Sequence, residues 1–374
     1  MQDATTRRDL LRSGAIAGAV LLAGCGGDGD GDGGNGGGGG DGGDGGDGSD
    51  GGDGSDGGDS GDSTDGGDSA DGDTPTETAT PMSEGPMTTA LSVPSLEFTF
   101  FARMQNAFDA AIEEGAISEE SSFSGANNNS SQQVSDLETA ITNEVDFIMV
   151  SAIREDAVVS TVEDAVDQGI PVVAIDRNVA SDAIATYVAS DNVSLGERST
   201  ELLLQFMADQ ESKDTYNVVE LQGTTGASVT NDRGEGFGNV VDENAIEVLG
   251  SQTGEFATQT ALNVMEDFIT QHGDDIDGAF CHNDLMALGV HQAVQGSDIG
   301  PIPITGIDGT EGWVELFGDN QYYGTIAQLP EEMVNTAIER GQTAVEGESL
   351  EDYYRIDGLE VTQDNAADYL DEYF

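Results

Sequence analysis

Short apolar runs alternate with amphipathic stretches along the chain from Thr88 to its end. The runs are rich in β-branched residues and are bounded by turn-forming residues, which favours strands. In the stretches between them, apolar residues recur every three or four positions, as at Phe101, Met104 and Phe108, and this spacing predicts helices. We predict strands at Ala90–Val93, Phe147–Val150, Val172–Ile175, Ala185–Ala189, Asn217–Leu221, Ile246–Gly250, Gly278–Phe280, Ile302–Ile307 and Gly324–Ala327. Strands that alternate with helices indicate βαβ units and parallel sheets, so we expect an α/β fold.

The run Val172–Ile175 carries the clearest sign of a binding site. It follows Pro171 and ends abruptly in Asp176 and Arg177. An apolar run of this kind is typical of a strand that is buried on both faces. Because the ligands of open α/β sheets bind beyond the carboxyl ends of the strands, we expect Asp176 and Arg177 to contact a small hydroxylated ligand.

Residues 1–25 have the features of an export signal. Arg7 and Arg8, with the leucines that follow, form a twin-arginine motif, and Ala15–Leu22 supply a short apolar region. That region is too short to span a bilayer as a mature helix. The residues that end at Cys25 resemble the lipobox of bacterial and archaeal lipoproteins, which implies that Cys25 is lipidated. The alternative is a plain secretory signal in which Cys25 is incidental.

Residues 26–87 consist mainly of Gly, Asp, Ser and Thr. A segment of this composition cannot bury enough apolar surface to fold, so we expect a disordered spacer. A calcium-binding repeat is the alternative for the GGDGGD units, but it needs a large apolar residue in each turn, which they lack. The remaining residues, 88–374, exceed the usual length of one domain and predict two lobes.

The formal net charge is −62, from 73 acidic and 11 basic residues. A strongly negative surface excludes nucleic acid and anionic membranes as partners, because both need cationic contacts. The composition is typical of a halophile, in which high salt screens the self-repulsion. A cation-binding protein is the alternative, but it would need clustered ligands. Cys281 lies in an apolar run and is expected in the core; with Cys25 in the leader, we expect no disulfide.

Other predicted strands also end in polar residues, and aromatic residues lie near the junctions between strands and helices. Carboxylates and arginines form charge-assisted hydrogen bonds to hydroxyl groups, and aromatic rings cover the C–H face of a sugar. The pattern therefore predicts a carbohydrate site. The candidate residues are Phe100, Phe101, Asp176, Arg177, Arg233, Phe256, Asn283, Asp308 and Gln328. We expect no metal site, because His272, His282 and His291 are not spaced as a set of ligands.

Some of these residues have structural alternatives. The carboxylate and guanidinium that follow Ile175 could pair only with each other. Asp308, Asn283 and Asn231 could cap the helices that follow them, which Asp and Asn favour, and for Asn231 we expect the cap. Phe101 could belong to the core.

The motifs VAIDRN, VASDN, VVELQGTTG, DRGEGF, HNDLMALG, GIDGT and TIAQLP occur in this order between Ala90 and Gln363. Together they resemble the ribose-binding type of periplasmic sugar-binding protein, the substrate-binding component of an ABC importer. The resemblance implies two doubly wound parallel-sheet lobes that are joined by a three-crossover hinge and close on the ligand. It assigns residues 88–190 and 329–357 to one lobe and residues 191–328 and 358–374 to the other.

The resemblance also implies roles for the candidates. Phe100, Phe101 and Phe256 stack on the sugar. Asp176, Arg177, Arg233, Asn283 and Asp308 form hydrogen bonds to it, and Gln328 does so from the hinge. The crossovers fall near Asp191, Gln328 and Asp357.

This chain departs from the family at three positions. Phe98 stands where the family has an asparagine, Pro94 where it has a serine, and Ile307 where it has an aromatic residue. The first two changes remove hydrogen-bonding side chains from one wall of the site, and the third removes a ring from the other. We therefore expect the loop around Pro94 and Phe98 to determine specificity, and a methyl pentose, a hexose or a less hydroxylated ring to compete with ribose.

The implied function is a monomeric substrate-binding protein that is anchored by a lipid to the outer face of the cell membrane. It would deliver a ribose-like pentose or a related sugar to an ABC permease, with no enzymatic activity and no cofactor. A sugar sensor that serves a signalling receptor is the alternative. A glycosidase would use Asp176 and Asp308, but Arg177 should keep Asp176 ionised. A sugar-responsive repressor would need a basic DNA-binding segment at the N-terminus.

Overall fold

A computed structural model describes residues 85–374. The predicted export signal, Cys25 and residues 26–84 of the predicted spacer lie outside the described residues. The described chain forms two sheets of six strands each, flanked by helices. The predicted α/β fold with two parallel-sheet lobes is therefore confirmed.

The strands are β1 (Thr89–Val93), β2 (Ser122–Gly125), β3 (Phe147–Val150), β4 (Val172–Ile175), β5 (Thr186–Ala189), β6 (Tyr216–Gln222), β7 (Ile246–Thr253), β8 (Gly278–Cys281), β9 (Ile304–Asp308), β10 (Tyr323–Ala327), β11 (Tyr353–Arg355) and β12 (Leu359–Val361). The helices are α1 (Thr99–Glu113), α2 (Ser130–Thr142), α3 (Val159–Asp167), α4 (Asn192–Gln210), α5 (Ser228–Glu243), α6 (Thr258–His272), α7 (Asp284–Gln295), α8 (Glu311–Val314), α9 (Pro330–Val345) and α10 (Ala366–Tyr373). Within residues 85–374, no helix has both the length and the apolar character needed to cross a membrane.

The two sheets have the same internal order. The first runs β11-β5-β4-β3-β1-β2 and is parallel throughout, and the second runs β12-β10-β9-β8-β6-β7. In the second sheet only β12, which pairs with β10, is antiparallel. In a parallel sheet the carboxyl ends of the strands lie along one edge, so the polar residues that follow β4, β8 and β9 are brought together.

The chain passes between the sheets three times. After β5 it enters α4, which packs on the second sheet, so the first crossing lies at Ser190 and Asp191. After β10 it enters α9, which packs on β3 and β4, so the second crossing lies at Gln328. The third crossing lies between β11 in the first sheet and β12 in the second.

The core explains why β4 was the clearest strand in the sequence. All four of its residues, Val172–Ile175, are fully buried, because the sheet is covered on both faces. Burial of a Val or Ile side chain contributes about 1.5–3 kcal/mol. Cys281 is likewise buried and unpaired, as expected of a core residue.

The predicted cap at Asn231 is wrong, and the alternative role of Asp308 as a cap does not occur. Helix α5 begins at Ser228 after Ala227, so Asn231 lies inside its first turn and is exposed. Helix α8 begins after Thr310, so Asp308 is not its cap. Asn283 does cap α7, since its side-chain oxygen accepts a hydrogen bond of 3.0 Å from Met286 N.

Candidate functional site

Seven non-glycine residues in the described part of the chain have positive φ angles, and three of them are site candidates: Asp176 (61°), Phe256 (58°) and Asp308 (124°). Such backbone conformations cost about 1–3 kcal/mol each and persist only where surrounding contacts hold them. At Asp176 the backbone N–H donates to Val188 O at 2.9 Å, and the Tyr187 hydroxyl donates to Asp176 O at 2.6 Å. The strained turns aim these three side chains into the space between the lobes.

That space is a narrow cleft of about 20 Å³. Its lining residues are Phe98, Phe100, Phe101, Asp176, Arg177, Val229, Arg233, Phe256, Asn283, Asp308 and Gln328. The structure thus brings together all nine candidate residues, which come from both lobes and the second crossover. Val229 was missed by sequence reasoning, because an apolar residue in the first turn of a helix gives no chemical signal.

The three departures from the family pattern have different locations. Phe98 lines the cleft. Pro94 is buried but is not a lining residue; its carbonyl accepts a hydrogen bond of 2.8 Å from Asn128 N. Ile307 is fully buried in a core cluster with Phe280 and Ile326. The expectation that Pro94 and Ile307 alter the walls directly is therefore wrong, and Phe98 alone of the three contacts the cleft.

The first-lobe wall is built around Arg177. Its Nε lies 3.7 Å from Asp176 Oδ2, too far for a direct hydrogen bond. The guanidinium packs 5.5 Å from the ring centre of Phe101 and 4.9 Å from that of Phe256. Arg177 Nε and Nη1 are buried and have no hydrogen-bond partner among the described residues. The pair therefore does not satisfy itself, and Arg177 keeps donors for a ligand. Phe101 belongs to both the core and the wall.

The second-lobe wall is held by Arg233. Its Nε donates to Asn192 Oδ1 at 2.8 Å, and its Nη1 donates to the carbonyl of His282 at 2.5 Å. The same Nη1 lies 3.8 Å from Asp308 Oδ1. Asn192 opens the helix after the first crossover, so Arg233 ties this wall to the hinge.

Two buried groups behind the second wall were not recognised in the sequence. Asp284 accepts hydrogen bonds of 2.7 Å from Thr310 N and from Thr325 Oγ1, and so fixes the turn that follows Asp308. His282 Nε2 lies 2.8 Å from Glu220 Oε1. Both contacts join residues that are distant in sequence, so no local pattern could reveal them. They position the carbonyl and the turn on which Arg233 and Asp308 depend.

The pKa values of the site are governed by burial. Burial raises the pKa of Asp176, although Arg177, Arg233 and Ser151 act in the opposite direction. Burial also raises the pKa of Asp308 to about 6, against the effect of Arg233, and lowers the pKa of Arg177 to about 10. Arg177 thus favours the ionised form of Asp176, as expected, but the loss of solvent outweighs it, and the net pKa of Asp176 is raised.

A family model described as a periplasmic binding protein domain matches residues 89–349. The ribose import binding protein RbsB of Bacillus subtilis (strain 168) is 33% identical over 280 residues, which cover 74% of this chain and 88% of that protein.

Two solved structures share the fold. One is the periplasmic binding protein of the arabinose ABC transporter from Shewanella sp. ANA-3, bound to α- and β-L-arabinofuranose; its TM-score is 0.70 at 26% identity, covering 76% of this chain and 95% of that one. The other is a periplasmic solute binding protein of an ABC transporter from Actinobacillus succinogenes 130z with bound D-allose; its TM-score is 0.68 at 25% identity, covering 76% of this chain and 100% of that one. The chain therefore belongs to the ribose-binding-type family of periplasmic sugar-binding proteins.

Proposed function

We propose that the protein captures one monosaccharide between its lobes and delivers it to the permease of an ABC importer. The observation that carries this proposal is the set of buried polar atoms without partners in the described part of the cleft: Arg177 Nε and Nη1, and Gln328 Oε1. Leaving such a group unpaired costs about 1–3 kcal/mol. A ligand that both donates and accepts hydrogen bonds removes that cost.

Sugar hydroxyls meet this requirement, because each donates one hydrogen bond and accepts others. A hydroxyl oxygen accepts from Arg177, and a hydroxyl proton is donated to Gln328 Oε1 or to a carboxylate of Asp176 or Asp308. The rings of Phe101 and Phe256 then cover the C–H faces of the sugar.

Capture works by closure of the lobes. A sugar in the open form contacts one wall, whereas in the closed form it contacts Asp176 and Arg177 on one side and Arg233, Asn283 and Asp308 on the other. Because the ligand gains contacts only on closure, it shifts the population toward the closed form. The permease then receives the closed form.

The lining narrows the class of sugar. Phe98 presents an apolar edge to the cleft, 6.2 Å from Phe101 between ring centres. A hydroxyl directed at Phe98 would lose its partner in water without gaining one in the protein. We therefore propose a pentose such as ribose, or a related sugar that carries a hydrogen or a methyl group at that position. Relatives that bind ribose, arabinofuranose and allose support a pentose or a related monosaccharide as the ligand.

The export signal supports a location outside the cell, and Cys25 supports a lipid anchor at the outer face of the membrane.

The same proposal includes two moving lobes. One lobe consists of residues 88–190 with 329–357, and the other consists of residues 191–328 with 358–374. A monomeric state is also part of this proposal, since one chain supplies both walls of the cleft. A sensor that feeds a receptor would use the same site; loss of sugar uptake on deletion of the permease distinguishes the importer.

Mass spectrometry of the small molecule that co-purifies with the protein tests the proposal. Calorimetry then measures binding of D-ribose, L-arabinose, D-allose and xylitol in multimolar potassium chloride. Binding of one monosaccharide at one site per chain is expected. Absence of binding by every sugar and of any co-purified ligand would contradict the proposal, and sustained hydrolysis of aryl glycosides would favour an enzyme instead.

A further inference from the structure

A second contact between the lobes lies beside the sugar cleft. Arg103 is on α1, which packs against α9 on the first sheet. Phe374 follows α10, which packs against α8 and the 3₁₀ turn Glu315–Asp319, the segments that connect β9 to β10 of the second sheet. The guanidinium carbon of Arg103 lies 4.7 Å from the ring centre of Phe374. We call this pair the clasp, because it joins a helix of one lobe to a helix of the other.

Arg103 is held in place from its own lobe. Its Nε and Nη2 donate to the two carboxylate oxygens of Glu331 at 2.7 and 2.8 Å. Glu331 lies in the first turn of α9, three residues after Gln328, so this bidentate contact fixes the guanidinium relative to the second crossover. The Arg103 side chain is only 13% exposed. A planar guanidinium held in this way offers a flat face on which an aromatic ring can pack.

Phe374 is tied to the second wall of the cleft. Its backbone N–H donates to Leu370 O at 3.1 Å, and its ring meets the ring of Tyr369 at 6.2 Å between centres. The Tyr369 hydroxyl donates to Gly309 O at 2.9 Å, and Gly309 directly follows Asp308. The position of the Phe374 ring therefore depends on the same segment that carries Asp308.

The clasp lies on the cleft side of the hinge. A small chamber of about 140 Å³ is lined by residues of both lobes, Arg103 and Phe374 among them. Phe100 and Asp308 line both this chamber and the sugar cleft. Phe100 is also on α1, one turn before Arg103. When the lobes part around the cleft, the contact between the ring and the guanidinium must therefore part with them.

Two forces favour the clasp when the lobes are together. The face of an aromatic ring attracts a guanidinium, by an amount that is modest where water has access, and Phe374 is 50% exposed. Asp308 and Glu311 line the chamber from the second lobe, so their charges also attract Arg103. Glu331 neutralises part of that charge, which leaves the ring contact as the main contribution.

We propose that the clasp between Arg103 and Phe374 stabilises the closed arrangement of the lobes and thereby raises the affinity for the sugar. The open form lacks this contact, so the contact shifts the population toward the form that the sugar binds on both sides. This inference rests on the proposed function of capture by closure. Arg103 and Phe374 act as positioning residues, since neither lines the sugar cleft.

The first test compares Phe374→Ala with the wild type, with Phe374→Tyr and with Val248→Ala. Val248 is an exposed apolar residue on β7, at the opposite edge of the second sheet from β12, and serves as the control. Calorimetry measures binding of D-ribose, L-arabinose, D-allose and xylitol in multimolar potassium chloride. Phe374→Ala should bind the preferred sugar about fivefold more weakly than the wild type. Phe374→Tyr keeps the aromatic face and should retain the affinity, as should Val248→Ala.

A double-mutant cycle tests whether the two residues act through each other. Arg103→Gln should weaken binding about threefold, and Arg103→Gln combined with Phe374→Ala should bind about as weakly as Phe374→Ala alone. Thermal unfolding followed by circular dichroism verifies that each variant is folded. Losses that multiply in the double variant would overturn the inference, because the residues would then act independently.

Small-angle X-ray scattering of the ligand-free proteins separates this inference from the proposed function. Phe374→Ala should have a larger radius of gyration than Val248→Ala, because it has lost a contact of the closed form. If no sugar binds to the wild type, sugar capture fails and the radii alone decide: a larger radius supports the clasp, and equal radii overturn it. If the wild type binds a sugar, equal affinities of Phe374→Ala and Val248→Ala overturn the clasp while sugar capture stands.

Discussion

Gln328 Nε2 donates a hydrogen bond of 2.9 Å to Asp308 Oδ1, while Gln328 Oε1 is buried without a partner in the described part of the chain. The two residues end neighbouring strands, because β9 and β10 pair in register up to Asp308 and Ala327. One amide therefore orients a carboxylate of the second wall and keeps an acceptor for the ligand. Gln328 also lies at the second crossover, so the same residue belongs to the hinge and to the site.

Substitution Gln328→Glu should lower sugar affinity at least tenfold, or about 1.4 kcal/mol. The change replaces the donor to Asp308 with a second carboxylate, and both oxygens then repel each other in a buried cleft. Calorimetry with the sugar identified from co-purification measures the loss. Gln295→Glu, at an exposed position near the end of α7, adds the same charge and should leave affinity unchanged. Equal affinities for the two variants would show that Gln328 does not contact the ligand.

Substitution Arg177→Leu should abolish measurable sugar binding, and Arg177→Leu combined with Asp176→Asn should raise the thermal midpoint of the ligand-free protein. The buried guanidinium has two nitrogen atoms without partners among the described residues and an Asp176 contact of only 3.7 Å. Replacing a buried ion pair as a whole by uncharged side chains is often stabilising, by about 1–4 kcal/mol, whereas removing one partner leaves the other charge uncompensated. Calorimetry and circular dichroism check the two effects. Arg340→Leu, outside the cleft, should leave binding intact; a large loss of stability in the double variant would mean that the pair is structural.

The sequence predicted those features of the fold that depend on local pattern. Strand β4 was recognised because both of its faces are buried, so every residue in it is apolar. Strand β2 was missed because its residues, SFSG, are partly exposed and mixed in polarity. Strands β11 and β12 were missed because each has three residues and lies at the edge of a sheet. Only pairing with a neighbour identifies such segments as strands.

For the candidate site, too, the sequence predicted only the residues that follow a local pattern. Asp176 and Asp308 were recognised because each ends an apolar run. Asp284 and His282 were not, because their partners lie on other elements and no spacing in the sequence reports them. The prediction for Asn231 was wrong because the helix begins earlier, at Ser228, after a loop whose backbone supplies the start.

Substitution Gly306→Ala should destabilise the protein by about 2–4 kcal/mol. A Cβ at this position would overlap Asp284 Oδ1, and the backbone of Asp284 leaves no room for that side chain to retreat. Chemical unfolding followed by circular dichroism measures the change. Gly312→Ala is the matched control, because no atom lies within 4 Å of a Cβ there and the residue is in α8. Similar stabilities for the two variants would show that Asp284 moves freely, contrary to its two hydrogen bonds.

The pH dependence of stability should differ between the wild type and Asp308→Asn. Burial raises the pKa of Asp308 from 3.8 to about 6, so between these values the folded protein binds a proton that the unfolded chain does not. Stability of the ligand-free wild type therefore gains on the order of 2 kcal/mol from this group as pH falls through about 6 toward 4. In Asp308→Asn this gain is absent. Burial raises the pKa of Asp284 first of all, and repulsion from Asp308, which adds to that effect, is removed in the variant as well. The lowered pKa of His282 acts in the opposite direction, but it is common to both proteins and cancels in their difference. Thermal unfolding over this pH range should give a flatter profile for the variant; parallel profiles would show that Asp308 stays solvated in the folded protein.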